Sequence, residues 1–342
     1  MRRALQLAAN GRGATSPNPM VGAVIVDPDG NIIGEGGHRK FGGPHAEVNA
    51  VRSVANRSLL PDSTIYVTLE PCSHYGKTPP CADLLVECGF RRVVVGSTDP
   101  NEKVSGRGIR RLTDAGIEVR VGVLEQECRE LNKKFMTAHS LQRPYVLLKW
   151  ACSKDMFLDC QRHSGEPAPR FSTPLTSLLV HRLRSEYDAI MVGSSTAIND
   201  NPRLYTRLYP GRSPRKAVID GQGRLTPELN IFRTPGTLII TSNPDHPAKE
   251  KAEIITSADS HNIRQILSEL SQRGISSVMV EGGATLLQAF IDSGLWDEAR
   301  IEIAPLLLGN SGRTPMHIPE GVTSSTEIDR NVIINVKNRQ IE

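Results

Sequence analysis

Aromatic residues supply only 4% of this chain, and its formal net charge is +4 over 342 residues, with no run of five or more like charges. Sequence-tolerant binding of single-stranded nucleic acid needs a basic groove interleaved with stacking aromatics, and the chain is poor in both. No apolar stretch approaches the roughly 20 residues of a membrane-spanning helix. The opening segment Met1 to Asn10 holds too few consecutive apolar residues for the core of a secretion signal. Neither nucleic acid nor membrane is therefore expected as a partner, and a reducing cytoplasmic setting is. There, the six cysteines are thiols or metal ligands rather than disulfides.

What is present is organised around His45-Ala46-Glu47, followed by Thr68-Leu69-Glu70-Pro71-Cys72 and then Cys81. One imidazole and two thiolates make a three-ligand set that suits Zn²⁺ and leaves its fourth position to water, whose pKa the metal lowers towards ~7. A helix beginning at His45 holds the Glu47 carboxylate beside that position without coordinating, which makes Glu47 the candidate proton carrier. A closed zinc clamp is the alternative, but it gives Glu47 no role and lacks an evident fourth protein ligand. Cys88, Cys128, Cys152 and Cys160 have no such neighbours in sequence and are expected as small buried apolar residues.

Around this cluster the pattern predicts a helix over residues 2–10 and a turn-rich segment to Pro19. A hairpin follows, with strands at 21–26 and 32–34, then a helix from His45 to about Asn56 and a strand over 64–69. Strand over 92–97, helix over 108–115 and strand over 117–121 continue the alternation, which argues for a sheet covered by helices with its site at the strand ends. Asn18, between two prolines, is either a turn-former or a contact for a base edge. A single helix is expected over 124–140 and a linker over 141–144, dividing the chain into domains 1–143 and 144–342.

The second half opens on an apolar strand, Tyr145 to Ala151, in which Lys149 is costly unless paired or functional. A helix over 173–186, ending in His181-Arg182-Leu183-Arg184, leads to a strand over 188–193. Val278 to Leu286 reads as strand, glycine turn and helix start, which offers backbone N–H groups and a positive dipole end to a phosphate. It is not a G-x-G-x-x-G motif, so a plain tight turn competes with that reading. Arg184 and Arg207 carry planar forks that match a phosphate dianion, or are exposed arginines.

The combination of H-x-E, P-C and a second Cys resembles the zinc deaminases, in which hydrolysis replaces a ring amino group and ammonia leaves. Eight residues separate Cys72 from Cys81 where P-C-x-x-C is usual. The intervening Ser73 to Pro80 is similar to the variant in the pyrimidine deaminase of riboflavin biosynthesis. The second half resembles the reductase domain of the bifunctional riboflavin biosynthesis proteins. The resemblance implies an α/β protein: an N-terminal cytidine-deaminase-like α/β/α sandwich and a C-terminal dihydrofolate-reductase-like α/β domain. It implies Zn²⁺ and NADPH as cofactors, a small phosphorylated pyrimidine as substrate, and a homo-oligomer. Asn18, His38, His74, Lys77, Asp99 and Asn101 become deaminase substrate contacts. Ala151, Thr196, Asp200, Gly283, Ala284, Thr285, Leu286 and Leu287 become cofactor contacts, Arg184, Leu204, Arg207 and Glu281 reductase substrate contacts, and Lys149 a catalytic group.

Two departures stand in the second half: Ser153-Lys154-Asp155-Met156 where S-x-D-G is usual, and Arg170-Phe171 where a tryptophan is expected. They favour one rival, a deaminase whose second half binds nucleotide or aids assembly without turnover. The other rival is a nucleic-acid deaminase, which the low aromatic content opposes.

Overall fold

The computed structural model describes residues 1–75, 79–100, 105–161, 166–257 and 259–339. Lys77 and Asn101 lie outside them. Two compact units divide the chain, Met1–Gln142 and Arg143–Glu342.

The first unit contains α1 (Arg2–Ala9), β1 (Gly22–Val26), β2 (Ile32–Gly37), α2 (Ala46–Ser53), β3 (Thr64–Leu69), α3 (Cys81–Glu87), β4 (Arg92–Ser97), α4 (Arg107–Asp114), β5 (Glu118–Val121), α5 (Glu125–Leu131) and α6 (Lys133–Ser140). Its sheet runs β2-β1-β3-β4-β5, with β1 antiparallel to both neighbours and β3, β4 and β5 parallel. Ile25, Ile65, Val67, Leu85, Phe90, Val93 and Leu112 fill the core. Gly36 lets α2 lie close on β2, since a Cβ there would meet Ala46 O at 2.2 Å. That contact fixes where the start of α2, and with it His45, can sit.

The stretch expected as one helix over 124–140 is two. Asn132, 2% exposed, leaves helical geometry at φ −104°, ψ 18°. Its side chain accepts from Met20 N and donates to Met20 O, both at 2.8 Å. Pairing both backbone groups of one residue outweighs continuing the helix.

The second unit contains β6 (Tyr145–Cys152), β7 (Phe157–Cys160), α7 (Pro174–Glu186), β8 (Ala189–Gly193), α8 (Ser194–Asn199), β9 (Arg215–Ile219), β10 (Leu238–Thr241), β11 (Glu253–Thr256), α9 (Ile263–Gln272), β12 (Ser277–Val280), α10 (Ala284–Ser293), β13 (Glu298–Ile303), β14 (Gly312–Pro315), β15 (Val322–Ile328) and β16 (Asn331–Lys337). Its nine-stranded sheet runs β11-β10-β9-β8-β12-β6-β13-β16-β15. The first seven strands of that order are parallel, and β16 and β15 are antiparallel additions. A parallel sheet is apolar on both faces, as the buried Val146, Leu147, Leu148 and Trp150 of β6 illustrate. No helix among the described residues is long and apolar enough to cross a membrane. All six cysteines are free; Cys128 and Cys152 are buried as expected, whereas Cys88 and Cys160 are only half-buried.

Candidate active sites

His45 stands at the N-cap of α2, in extended geometry at φ −69°, ψ 164°. Asn49, one turn on, donates to Gly37 O at 2.9 Å and so ties the helix start to the end of β2. Cys72 follows the C-terminal end of β3, and Cys81 is the first residue of α3. The Cys81 N–H, one of the unpaired donors at that helix start, points at Cys72 Sγ across 3.2 Å.

The three candidate ligand atoms all lie within 4.8 Å of one another. His45 Nδ1 is 3.6 Å from Cys72 Sγ and 3.3 Å from Cys81 Sγ. Tetrahedral zinc with Zn–N near 2.0–2.1 Å and Zn–S near 2.3 Å sets its ligand atoms roughly 3.5–3.8 Å apart, so the set fits the ion. The Cys81 thiol first, and then His45, pull the Cys72 pKa down to about 4, while Cys72 and burial push the Cys81 thiol up.

Glu47 shares the buried face of α2 with Ala46, Ala50 and Val51 and is 3% exposed. Burial raises its carboxyl to about 7, and the neighbouring Cys72 adds to the rise. His38 is buried with its ring 5.5 Å from that of His45. Its Nδ1 bonds Pro44 O at 3.0 Å, and Nε2 has no partner among the described residues. Burial lowers its pKa, which keeps the ring neutral and makes Nε2 an acceptor.

Asn18 is half-buried, and its side-chain amide has no hydrogen bond among the described residues; His74 is exposed; Asp99 is buried with its N–H on Glu70 at 3.3 Å. The residue that organises this edge was not singled out beforehand. Glu70, 3% exposed, accepts from the N–H groups of Asp99, Gly106, Gly108 and Ile109 and so holds the start of α4.

In the second unit, Lys149, His181, Arg184, Leu204 and Arg207 line one cavity of about 540 Å³. Burial lowers the Lys149 pKa, and Glu281 opposes the shift. Arg184 grips Glu281 with a two-point fork, Nε to Oε1 at 2.9 Å and Nη2 to Oε2 at 2.6 Å. Two nitrogens of that fork are therefore committed to a carboxylate, which leaves Arg207, exposed at the cavity, as the uncommitted one of the two expected phosphate ligands. Thr196 lies on α8, and a Cβ on Gly283 would come within 3.2 Å of its Oγ1. Gly193 N donates to Gly282 O at 2.9 Å, so the start of α8 and the glycine turn before α10 adjoin. Ala284, Thr285, Leu286 and Leu287 form the first turn of α10; Asp200 ends α8, and Ala151 lies on β6. A two-glycine turn beside a threonine hydroxyl at a helix start is a cradle that fits a dinucleotide phosphate.

Two models match the chain: the cytidine and deoxycytidylate deaminase zinc-binding region over residues 1–97, and the RibD C-terminal domain over residues 144–340. The riboflavin biosynthesis protein RibD of Escherichia coli is 40% identical over 337 residues, covering 93% of this chain and 90% of its own. That of Aquifex aeolicus is 39% identical, covering 90% and 87%. The chain belongs to the RibD family. A Thermotoga maritima structure described as a diaminohydroxyphosphoribosylaminopyrimidine deaminase/5-amino-6-(5-phosphoribosylamino)uracil reductase superposes with TM-score 0.87 at 35% identity, covering 99% of this chain and 97% of that one. Acinetobacter baumannii RibD gives 0.88 at 34%, covering 98% and 97%. As a RibD family member the chain joins a zinc-binding deaminase domain to a reductase domain and serves riboflavin biosynthesis.

Within that RibD frame, sequence reasoning passed over Ser172, Ser177, His181, Asn201, Arg203 and Tyr205, which also line the second unit's cavity. One signal was available: His181 and Arg184 are three apart on a helix and so share a face. The Met156 departure keeps the turn that a glycine would make, since Met156 adopts φ 68°. Asp155 accepts from Leu308 N at 3.2 Å and Gly309 N at 2.8 Å.

Proposed function

We propose that the chain acts twice on one phosphorylated pyrimidine. The first unit deaminates 2,5-diamino-6-ribosylamino-4(3H)-pyrimidinone 5′-phosphate by hydrolysis, and the second then reduces the ribosyl to a ribityl chain with NADPH. The observation that carries the reading is geometric: the buried Glu47 carboxyl stands on the helix that His45 caps, in the unit that brings the ligand atoms of His45, Cys72 and Cys81 within 4.8 Å of one another. His45, Cys72 and Cys81 would hold zinc, which when bound supplies Lewis acidity and acidifies water at its open position. Glu47 takes up a proton and returns it to the departing amine; a carboxyl poised near neutrality does both at physiological pH. His38 Nε2, an acceptor without a partner among the described residues, is suited to receive an N–H of the pyrimidine.

In the second unit NADPH supplies the hydride. The turn from Gly283 to Leu287 and Thr196 would hold its phosphates, with Asp200 and Ala151 on its flanks. Lys149 orients the sugar, Arg207 and Leu204 engage the phosphorylated ribose, and Glu281 is kept in place by Arg184. The family resemblance also supports a cytoplasmic homo-oligomer.

The test follows ammonia release and NADPH oxidation separately on the ribosyl phosphate, in wild type and Glu47→Ala. Ammonia that vanishes in Glu47→Ala, with NADPH consumed only after deamination, is the expected result. Ammonia without NADPH loss leaves the second unit as a binding module, and no ammonia sinks the substrate assignment.

A further inference from the structure

We propose that the buried Glu302 is a positioning residue for sugar recognition in the second unit: it turns Ser172 into an acceptor for a hydroxyl of the ribosyl substrate and holds Lys149 charged as the matching donor. The inference rests on the reading above that this unit reduces a ribosyl group. Glu302 lies on β13 and is 2% exposed. Its Oε2 accepts from Ser172 Oγ at 2.8 Å, and its Oε1 accepts from Asn331 Nδ2 at 2.5 Å. No cation among the described residues bonds it. A buried carboxylate whose direct partners are all neutral is costly to keep, so its charge needs a use.

The bond from Ser172 decides what that side chain can offer a ligand. A serine hydroxyl has a single hydrogen, and here it is committed to Glu302. Towards the cavity that Ser172 lines with Lys149, Arg184, Leu204 and Arg207, its oxygen can therefore only accept. Lys149 offers the reverse, donors alone, and makes no side-chain hydrogen bond among the described residues. An acceptor and a donor in one cavity match a sugar, whose hydroxyls both donate and accept. A phosphate oxygen without a hydrogen could use Lys149 but not Ser172.

The backbone that carries Ser172 is fixed without Glu302. Asn331 Nδ2 donates to Phe171 O at 3.0 Å and Thr173 Oγ1 donates to Asp329 Oδ2 at 2.6 Å, so the turn between β15 and β16 pins the residues on both sides. Glu302 thus sets the direction of the hydroxyl rather than the path of the chain. It also stands on the Lys149 side of the sheet. β13 pairs with β6 in the register Arg300 to Lys149 and Glu302 to Ala151, while Leu148, Trp150, Ala299 and Ile301 fill the core on the other face. Lys149 faces Glu281, Glu302, His181, Arg184 and Arg300; burial and the arginines lower its pKa, and Glu281 and Glu302 raise it. Arg184 already grips Glu281 with its fork, so Glu302 is the carboxylate whose charge is left for Lys149.

Steady-state NADPH oxidation by the full chain tests this, on the deaminated ribosyl phosphate and its 2′-deoxy and 3′-deoxy analogues, in wild type, Ser172→Ala and Glu302→Gln. Calorimetric NADPH affinity and thermal melting accompany each variant. Ser172→Ala should raise KM for the ribosyl substrate about three- to tenfold, the loss of one neutral hydrogen bond, with kcat changed less and NADPH affinity within about twofold. One deoxy analogue should show that loss in wild type and no additional loss in Ser172→Ala. Glu302→Gln should raise the same KM and move the alkaline limb of kcat roughly one pH unit to the acid side, because removing a negative charge lowers the Lys149 pKa. An unchanged KM in Ser172→Ala, or an alkaline limb left in place in Glu302→Gln, would overturn the proposal. A fall in NADPH affinity in Ser172→Ala would also overturn it, by placing Ser172 on the cofactor. Wild-type protein that oxidises no NADPH with the ribosyl phosphate would instead sink the reduction reading itself, an outcome distinct from these.

Discussion

The backbone N–H of Arg207 donates to Nδ1 of His181 across 3.0 Å, so α7 holds the loop that brings Arg207 to the cavity. The bond requires an unprotonated Nδ1. Burial pushes the His181 pKa down to about 4, and Arg184, Arg207 and Lys149 push the same way against Glu281. The unfolded chain takes up this proton near the ordinary 6.5. The residue's contribution to folding is therefore complete above that pH and is lost progressively as pH falls towards 4. His181→Asn offers an acceptor oxygen in place of Nδ1 and does not titrate. It should flatten the stability profile between pH 6.5 and 4 in denaturant unfolding; a profile as steep as wild type would refute the assignment. His181→Leu leaves the Arg207 N–H unpaired and should raise KM for the ribosyl substrate about tenfold, with kcat changed less.

Met156 occupies left-handed backbone at φ 68° while its half-buried side chain packs on the core of the second unit. The two effects oppose each other, so a single substitution is uninformative and a pair is decisive. Met156→Ala and Met156→Gly both lose the packing, but only glycine relieves the backbone. The Gly variant should be the more stable of the two by about 1 kcal/mol, the cost of a left-handed L-residue less the entropy glycine adds to the unfolded chain. Equal melting temperatures would count against strain at this turn.

Metal removal should separate the two activities, because His45, Cys72 and Cys81 all belong to the first unit. Chelation, or Cys72→Ser, should abolish ammonia release and bound zinc while NADPH oxidation on the deaminated substrate continues. Glu47→Gln should lower ammonia release ~10²–10⁴-fold and leave zinc content unchanged, since the carboxylate carries protons and does not ligate. Loss of zinc in Glu47→Gln would move Glu47 into the ligand set.

The metal site was legible because its chemistry is written in residue types: a histidine and two cysteines have few other reasons to be spaced around a strand and a helix start. Strand limits at 64–69 and 92–97 could be read from apolar runs bounded by turn residues, and the structure keeps them. The break at Asn132 could not, because its cause is Met20, 112 positions away. Arg184 and Glu281 were each assigned to substrate, yet they bind each other across 97 positions, a pairing no local pattern reveals. The His181 contact with Arg207 depends on loop geometry. Only the shared helix face of His181 and Arg184 hinted at it.

Glu70 was passed over as one letter of the Glu-Pro-Cys run, although its carboxylate closes the edge of the first unit beside the metal ligands. Four N–H groups converge on its two oxygens, from Asp99 and Ile109 at 3.3 Å and from Gly106 and Gly108 at 3.0 Å. Gly108 can approach only because it lacks a side chain, since a Cβ there would meet Pro71 O at 2.1 Å. The arrangement puts a negative charge at the start of α4, where the unpaired donors and the helix dipole favour it. Glu70→Gln keeps the shape but turns an –NH₂ towards donors and removes the charge, leaving up to half of the amides unmatched. Charged hydrogen bonds contribute ~1.5–3 kcal/mol and a buried unpaired group costs ~1–3 kcal/mol, so a loss of about 2–4 kcal/mol in the first unit is expected. Hydrogen exchange should speed up at Gly108 and Ile109 while His45, Cys72 and Cys81 still hold zinc. Unchanged exchange in Glu70→Gln would mean that α4 is held by its packing against the sheet and not by the carboxylate.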